Sequence, residues 1–298
     1  MRPEYRLEPC RSAVNHVTGM PFSWSLNPYT GCAHRCTFCY VRSFERRADR
    51  PSDARYGTSI RVKTNIAEVL RAELARPSWQ GESIAIGAVT DPYQPLEGRF
   101  RLTRACLEVL SAASNPFGLI TRGPMVVRDL DVLSEAACRA EVSVTFSVPT
   151  LDQEVWRLTE PGTAPPEQRL RALEQLVAAG IHTSVGMAPI LPGISDRPEQ
   201  LAAVVRAARE AGACGIWANL LYLQPGTREH FLESLARDWP ELLPEYERLY
   251  ESRAYLPSAE TEPVRGAVRE LAREHGVRDR RRTPLRPPPR PEQLQLAV

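Results

Sequence analysis

The sequence predicts an α/β fold on a parallel sheet, closed partway as a TIM-type (β/α)6 barrel and followed by a C-terminal helical extension. Three observations carry this. From about Ile84 onward, short β-like runs alternate with helical patterns. No hairpin signal joins consecutive runs, so each return is a crossover helix and the strands are parallel. The 298 residues supply six such units, where a closed barrel needs eight.

The elements follow in order. Phe22-Ser23-Trp24-Ser25-Leu26 reads as the first strand, leading into a cysteine loop and a helix. An insertion holds Ile60-Arg61-Val62-Lys63 and a helix whose Asn65 and Glu68 have capping-box spacing. Ser83 to Thr90 is the second barrel strand; its helix is capped near Thr103, with Leu107, Val109 and Leu110 on the apolar side. Phe117 to Thr121 is the third strand, followed by a helix over about Met125 to Ala137. Val142 to Val148 is the fourth. Pro165-Pro166 opens a helix with Leu170, Leu173, Leu176 and Val177 at helical spacing, stopping at Gly180. Ile181 to Met187 is the fifth strand, and its helix runs from near Asp196 and Pro198 to Gly212. Gly215 to Leu223 is the sixth.

Residues 1–21 thus form an N-terminal extension, 22–237 the barrel, and 238–277 the helical extension. That extension packs through Trp239, Leu242, Leu243, Tyr246, Leu249, Tyr250 and Tyr255. Ser258 then caps an amphipathic helix ending at Gly276. Residues 278–298, with Arg-Arg-Arg and Pro-Pro-Pro, are expected to be a disordered tail, which could also serve as a nucleic-acid arm.

At 43% hydrophobic the chain can bury a large core. It has no apolar run long enough for a membrane span and no apolar segment near Met1, so a cytoplasmic protein without membrane partners is expected. The net charge of +2 says little about partners, and Lys63 is the only lysine. Seven cysteines, three clustered and the rest scattered, do not form a disulfide framework.

The three are Cys32, Cys36 and Cys39, spaced Cys-x3-Cys-x2-Cys. Three thiolates this close can hold three irons of a four-iron cluster and leave the fourth open to bind and activate a ligand. Zinc is the rival, with His34 or Cys10 as fourth ligand, but no second Cys-x2-Cys knuckle exists. A fully ligated electron-transfer cluster completed by Cys10, Cys106, Cys138 or Cys214 is the other.

This motif after the first strand of a partial barrel resembles the radical S-adenosylmethionine superfamily. Asn27-Pro28-Tyr29-x-Gly31-Cys32, Thr90-Asp91-Pro92-Tyr93-Gln94-Pro95-Leu96-Glu97, Arg128-Asp129, Glu160-Pro161-Gly162, Arg169-Leu170 and Ala188 to Gly193 resemble the branch related to spore photoproduct lyase. Within it the chain is most similar to an uncharacterised bacterial group, over roughly Leu26 to Leu256.

The resemblance implies a [4Fe-4S] cluster on Cys32, Cys36 and Cys39, and S-adenosyl-L-methionine chelated through its amino and carboxylate groups. It also implies a reductant such as flavodoxin or ferredoxin. The product of one-electron cleavage is a 5′-deoxyadenosyl radical that abstracts hydrogen from substrate. Tyr40 resembles the aromatic beside the adenine, or is ordinary core. Thr90 and Asp91 resemble the polar pair facing the amino and carboxylate end, although Asp91 could instead cap the turn into Pro92. Ser147 could reach the ribose or carboxylate. Arg169 could pair with that carboxylate or with Glu160. Pro189, with Ile190, is expected to wall the adenine.

Nucleic acid, DNA or RNA, is the substrate class the branch implies first. A peptide or small metabolite is the alternative, and a non-enzymatic zinc-stabilised binding module is the reading from another class. Two departures matter. Where the branch's namesake carries a hydrogen-donating cysteine on the strand before the Thr-Asp pair, Ala85 to Asp91 contains none. Where it has a tyrosine before the third cluster cysteine, this chain has Phe38, leaving only Tyr40. Thymine-dimer reversal by that route therefore lacks its hydrogen-handling side chains here, whereas cofactor cleavage does not depend on them.

Overall fold

The computed structural model describes residues 3–288. Its N-terminal part contains β1 (Glu4–Glu8), β2 (Val14–His16), β3 (Trp24–Leu26), β4 (Tyr29–Thr30), α1 (Val41–Arg47), β5 (Ser59–Lys63) and α2 (Ile66–Leu74). Next come β6 (Ile84–Ile86), α3 (Glu97–Phe100), α4 (Leu102–Ala112), β7 (Phe117–Thr121), α5 (Leu130–Ala137), β8 (Val142–Ser147), α6 (Gln153–Thr159) and α7 (Pro166–Ala178). The rest comprises β9 (His182–Ile190), α8 (Pro198–Glu210), β10 (Ile216–Leu220), α9 (Thr227–Asp238), α10 (Leu243–Tyr250) and α11 (Ser258–Glu274). No helix among the described residues is long and apolar enough to cross a membrane.

The six anticipated strands are β3, β6, β7, β8, β9 and β10, adjacent in that order and parallel throughout, with β2 added antiparallel at the β3 edge. This is the partial barrel. Side-chain alternation explains why it is only half greasy. On β8, Val142, Val144 and Phe146 are buried under the helices, while Ser143 and Thr145 face the concave side half-exposed. There Thr145 Oγ1 meets Ser184 Oγ of β9 at 3.0 Å. The main core joins the outer face of this sheet to α2, α4, α5, α7, α8 and α11.

A second core lies over the C-terminal ends of the strands. Cys36 and Phe38 pack there with Leu191, Leu221, Leu223, Phe231, Leu235, Tyr246 and Tyr250. Helices α9 and α10 therefore roof the cysteine loop. Each buried Leu or Phe in such a roof is worth about 1.5–3 kcal/mol.

Several local expectations change. A separate three-stranded sheet, β1-β5-β4, links the N-terminus to the insertion. Asn65 does not make the capping box: its side chain accepts from the Cys10 N–H at 2.7 Å and donates to the Cys10 carbonyl at 3.1 Å. Thr103 lies inside α4, and the helix start is capped by Glu97, whose carboxylate accepts from the Thr103 and Arg104 N–H groups at 3.0 and 3.3 Å. The helix expected over Met125–Ala137 is a 3-10 turn (Pro124–Asp129) followed by α5, broken at Asp129 with φ −105° and ψ 20°. The buried Asp129 carboxylate is held there by Tyr93, Arg104 and Arg128.

The segment expected to be disordered is ordered as far as it is described. Leu285 N–H and Arg281 Nη1 both donate to the Gly180 carbonyl, at 3.0 and 2.6 Å. Residues 289–298, which held the remainder of that expectation, lie outside the described residues.

Candidate active site at the cysteine loop

The loop leaves β4 at Gly31, where φ is +87°, and runs to Tyr40 at the start of α1. It is fastened from four sides. The Gly31 carbonyl accepts from Thr90 Oγ1 at 2.7 Å and Gln94 Nε2 at 3.1 Å, while Gln94 Oε1 takes the Ala33 N–H at 2.9 Å. The Thr37 N–H donates to Thr159 O at 2.9 Å, and the Gly162 N–H donates to His34 O at 3.0 Å. The buried Arg42 guanidinium reaches the Cys36 and Arg35 carbonyls at 3.4 Å and binds Ser52 O and Asp53 O at 2.8 and 2.6 Å. Gly57 closes the fourth side: a Cβ there would stand 2.3 Å from the Cys32 carbonyl.

Cys32 and Cys36 are buried, and Cys39 is half-buried. Burial pushes the Cys36 and Cys39 thiols up. Acting the other way are the Arg122 guanidinium beside Cys36 and, at Cys39, the Tyr56 hydroxyl 3.5 Å from Sγ together with Arg42. Such thiols give up their protons to a coordinating metal. The three sulfurs are not mutually within 4.8 Å. Ligands on a single tetrahedral Zn²⁺ would sit about 3.8 Å apart, given Zn–S bonds of about 2.3 Å. As the side chains stand, the trio is not drawn up around a single ion.

The other cysteines do not complete it. Cys106 is in the main core, Cys10 lies where its backbone N–H and carbonyl bond the Asn65 side chain, Cys138 is exposed after α5, and Cys214 contacts Asp279. His34 turns to Asp91, its Nδ1 3.3 Å from Oδ2 but misaligned for a hydrogen bond, so the contact is an ion pair.

The remaining expected residues gather at the same end of the sheet. The Tyr40 hydroxyl donates to the Ala88 carbonyl. Asp91 accepts from the Tyr93 N–H (2.8 Å), Thr121 Oγ1 (2.7 Å) and the Arg122 N–H (2.7 Å). Burial opposes its charge, but His34 and these donors outweigh burial and hold Asp91 at about 2. So Thr90 Oγ1 donates to the loop backbone, and Asp91 accepts from the Tyr93 N–H in the turn after Pro92. Arg169, fully buried, bonds Glu160, Ser147 O, Thr163 Oγ1 and Ala164 O; of its two alternatives, the Glu160 pairing is the one formed. Ser147 Oγ makes no hydrogen bond among the described residues. Pro189 is half-buried at the end of β9, after a cis peptide bond.

Arg122 is the residue that joins these groups. Its Nε binds Glu160, its Nη2 donates to Ala188 O at 3.1 Å, and its guanidinium lies 5.6 Å from the Phe38 ring centre. Asp91, Arg122, Glu160, Arg169 and Ser147 thus form one chain of contacts across the ends of β6, β7 and β8. Thr121 was visible as the end of the third strand, and Arg122 follows it directly. Gln94, Arg42, Tyr56 and Gly162 carried no independent sequence signal as loop braces.

Comparisons with known proteins agree with this geometry. Residues 26–205 match the family model described as the Radical SAM superfamily. An uncharacterised protein of Mycobacterium tuberculosis (strain H37Rv) is 39% identical over 265 residues, covering 88% of this chain and 78% of the relative. An uncharacterised protein of Acidianus two-tailed virus is 29% identical over 224 residues, 71% of each chain. Among solved structures, a spore photoproduct lyase mutant with bound AdoMet and dinucleoside spore photoproduct superposes with TM-score 0.70 at 14% identity. It covers 91% of this chain and 79% of that one.

Proposed function

Since the chain belongs to the Radical SAM superfamily and is an enzyme of that class, we propose that Cys32, Cys36 and Cys39 hold a [4Fe-4S] cluster with one open iron, which binds S-adenosyl-L-methionine. When bound, this pair of cofactors supplies reductive cleavage to a 5′-deoxyadenosyl radical, which takes a hydrogen atom from the substrate. The protein's own part is to hold, shield and orient. Thr90, Gln94, Thr159, Gly162 and Arg42 fix the loop backbone, so the three sulfurs converge without rearrangement. Arg122 and Arg42 set positive charge beside them, and Tyr56 offers Cys39 a hydrogen bond. Phe38 and the α9–α10 roof keep water from that side. Ser147 Oγ is the polar group free to meet the cofactor's ribose or carboxylate, with Tyr40 and Pro189 beside the adenine.

The observation that carries this reading is the fastened trio of buried and half-buried thiols at Cys-x3-Cys-x2-Cys spacing. Anaerobic reconstitution tests it. The protein should take up about four irons per chain and form 5′-deoxyadenosine with dithionite, and Cys36→Ala should abolish both. Protein that stays colourless and free of iron after anaerobic reconstitution would refute it.

For substrate we favour nucleic acid. The reading is supported by the bound dinucleoside in the structurally similar lyase and by the polar side chains Ser143, Thr145 and Ser184 on the concave face of the sheet. Electrophoretic shift with DNA and RNA, and the salt slope of binding, decide it. Absence of any shift would turn the search to peptides and small metabolites.

A further inference from the structure

At the opposite end of the barrel, three potential ligands converge that the radical chemistry does not use. His182 opens β9, Cys214 lies two residues before β10, and Asp279 lies in the segment after α11. One ligand atom from each lies within 4.8 Å of the other two, the one such grouping among the described residues. We propose that these residues form a Zn²⁺ site clamping the segment after α11 to the base of the sheet.

The scaffold is built for it. Cys214 N–H donates to Thr183 O at 2.8 Å, so the first two ligands stand on neighbouring, hydrogen-bonded chain segments. Cys214 is buried and His182 half-buried, which limits competition from water. The third ligand is delivered by a strap that is itself pinned: Arg281 Nη1 and Leu285 N–H bind Gly180 O, and Arg280 Nη2 binds Arg209 O at 2.9 Å.

The thiol currently points its proton at Asp279 Oδ1, 3.6 Å away. A cation placed between that sulfur and that oxygen takes the proton's position. Coordination forms one bond each from Cys214 Sγ, a ring nitrogen of His182 and a carboxylate oxygen of Asp279, and the thiol proton leaves to solvent. Arg281 holds both carboxylate oxygens, Nε to Oδ1 at 2.9 Å and Nη2 to Oδ2 at 2.7 Å. On binding it keeps Oδ2 and orients the carboxylate from outside the metal. The soft thiolate, imidazole and single carboxylate suit zinc over magnesium or calcium.

The test uses the full chain under reducing conditions, titrated with Zn²⁺ against a chromophoric chelator. Wild type should bind one Zn²⁺ more than Cys214→Ser or His182→Ala, a difference that stands whatever the loop cysteines hold. Asp279→Asn, at an exposed position, should weaken that site at least tenfold. A second readout is tryptic cleavage within the arginine run 278–282, which Zn²⁺ should slow in wild type and not in Cys214→Ser. Equal zinc stoichiometry and affinity in wild type and Cys214→Ser would overturn the proposal, as would zinc without effect on cleavage.

Discussion

Replacing Gly162 by alanine tests whether the loop after α6 shapes the cluster site. A Cβ at 162 would stand 2.5 Å from Ala33 O, 2.7 Å from His34 Cα and 2.7 Å from His34 O. All three are backbone atoms of the cysteine loop, so no flexible side chain can swing away. Carbon–oxygen contacts normally begin near about 3.3 Å, so the two segments must part by roughly 0.8 Å. Overpacking of this kind costs about 1–3 kcal/mol. The Gly162 N–H to His34 O bond is stretched with it. The assay pairs a thermal melt of the unloaded protein with iron and sulfide content after anaerobic reconstitution. Gly162→Ala should melt lower and retain less iron. Gly266→Ala is the control: it sits in α11, where the added carbon meets only Arg269 Nη2 at 3.7 Å, and it should raise stability by about 0.5–1 kcal/mol. If Gly162→Ala loads iron and melts like wild type, the bracing argument is wrong.

Three further outcomes follow from the same contacts. Arg169→Met leaves Glu160 buried with only Arg122 as counter-charge and should lower the unfolding free energy by about 3 kcal/mol; an unchanged urea midpoint would contradict this. Thr90→Val removes the bond to Gly31 O and should cost about 1–2 kcal/mol while leaving S-adenosylmethionine affinity unaltered. Lost affinity at full stability would restore Thr90 as a cofactor contact. Burial, with Arg42 and Arg237, holds His230 down at about 4. An unfolded histidine protonates near about 6.5, so between there and 4 the unfolded state binds more protons and stability falls with falling pH. At pH 5 the loss should be about 1–2 kcal/mol. His230→Gln should flatten that dependence in urea melts.

The barrel was legible because its strands are buried on the helix side by residues such as Val142, Val144 and Phe146, with crossover helices between them. Periodicity reports burial of that kind. It does not report pairing across long separations, so β1, a charged Glu-Tyr-Arg-Leu-Glu run paired with β5 some 55 residues later, went unseen. Helix α9 was missed because Gly226 precedes it and its apolar face, Phe231 and Leu235, packs on the roof rather than the sheet. The cysteines announced themselves by spacing. Thr90 and Asp91 were read as facing the cofactor because a strand tip invites that reading. Their partners within the chain, Gly31 O, His34 and the Arg122 N–H, become neighbours only through the fold.

Guanidinium groups at Arg42, Arg122 and Arg169 surround the thiols and the buried Glu160 in a chain with a single lysine, and the buried His34 imidazole adds a further cation beside Asp91. An ammonium in such a dry pocket could shed its proton under mildly alkaline conditions, whereas guanidinium stays ionised. The guanidinium share of the positive charge around the sulfurs therefore persists as alkalinity rises.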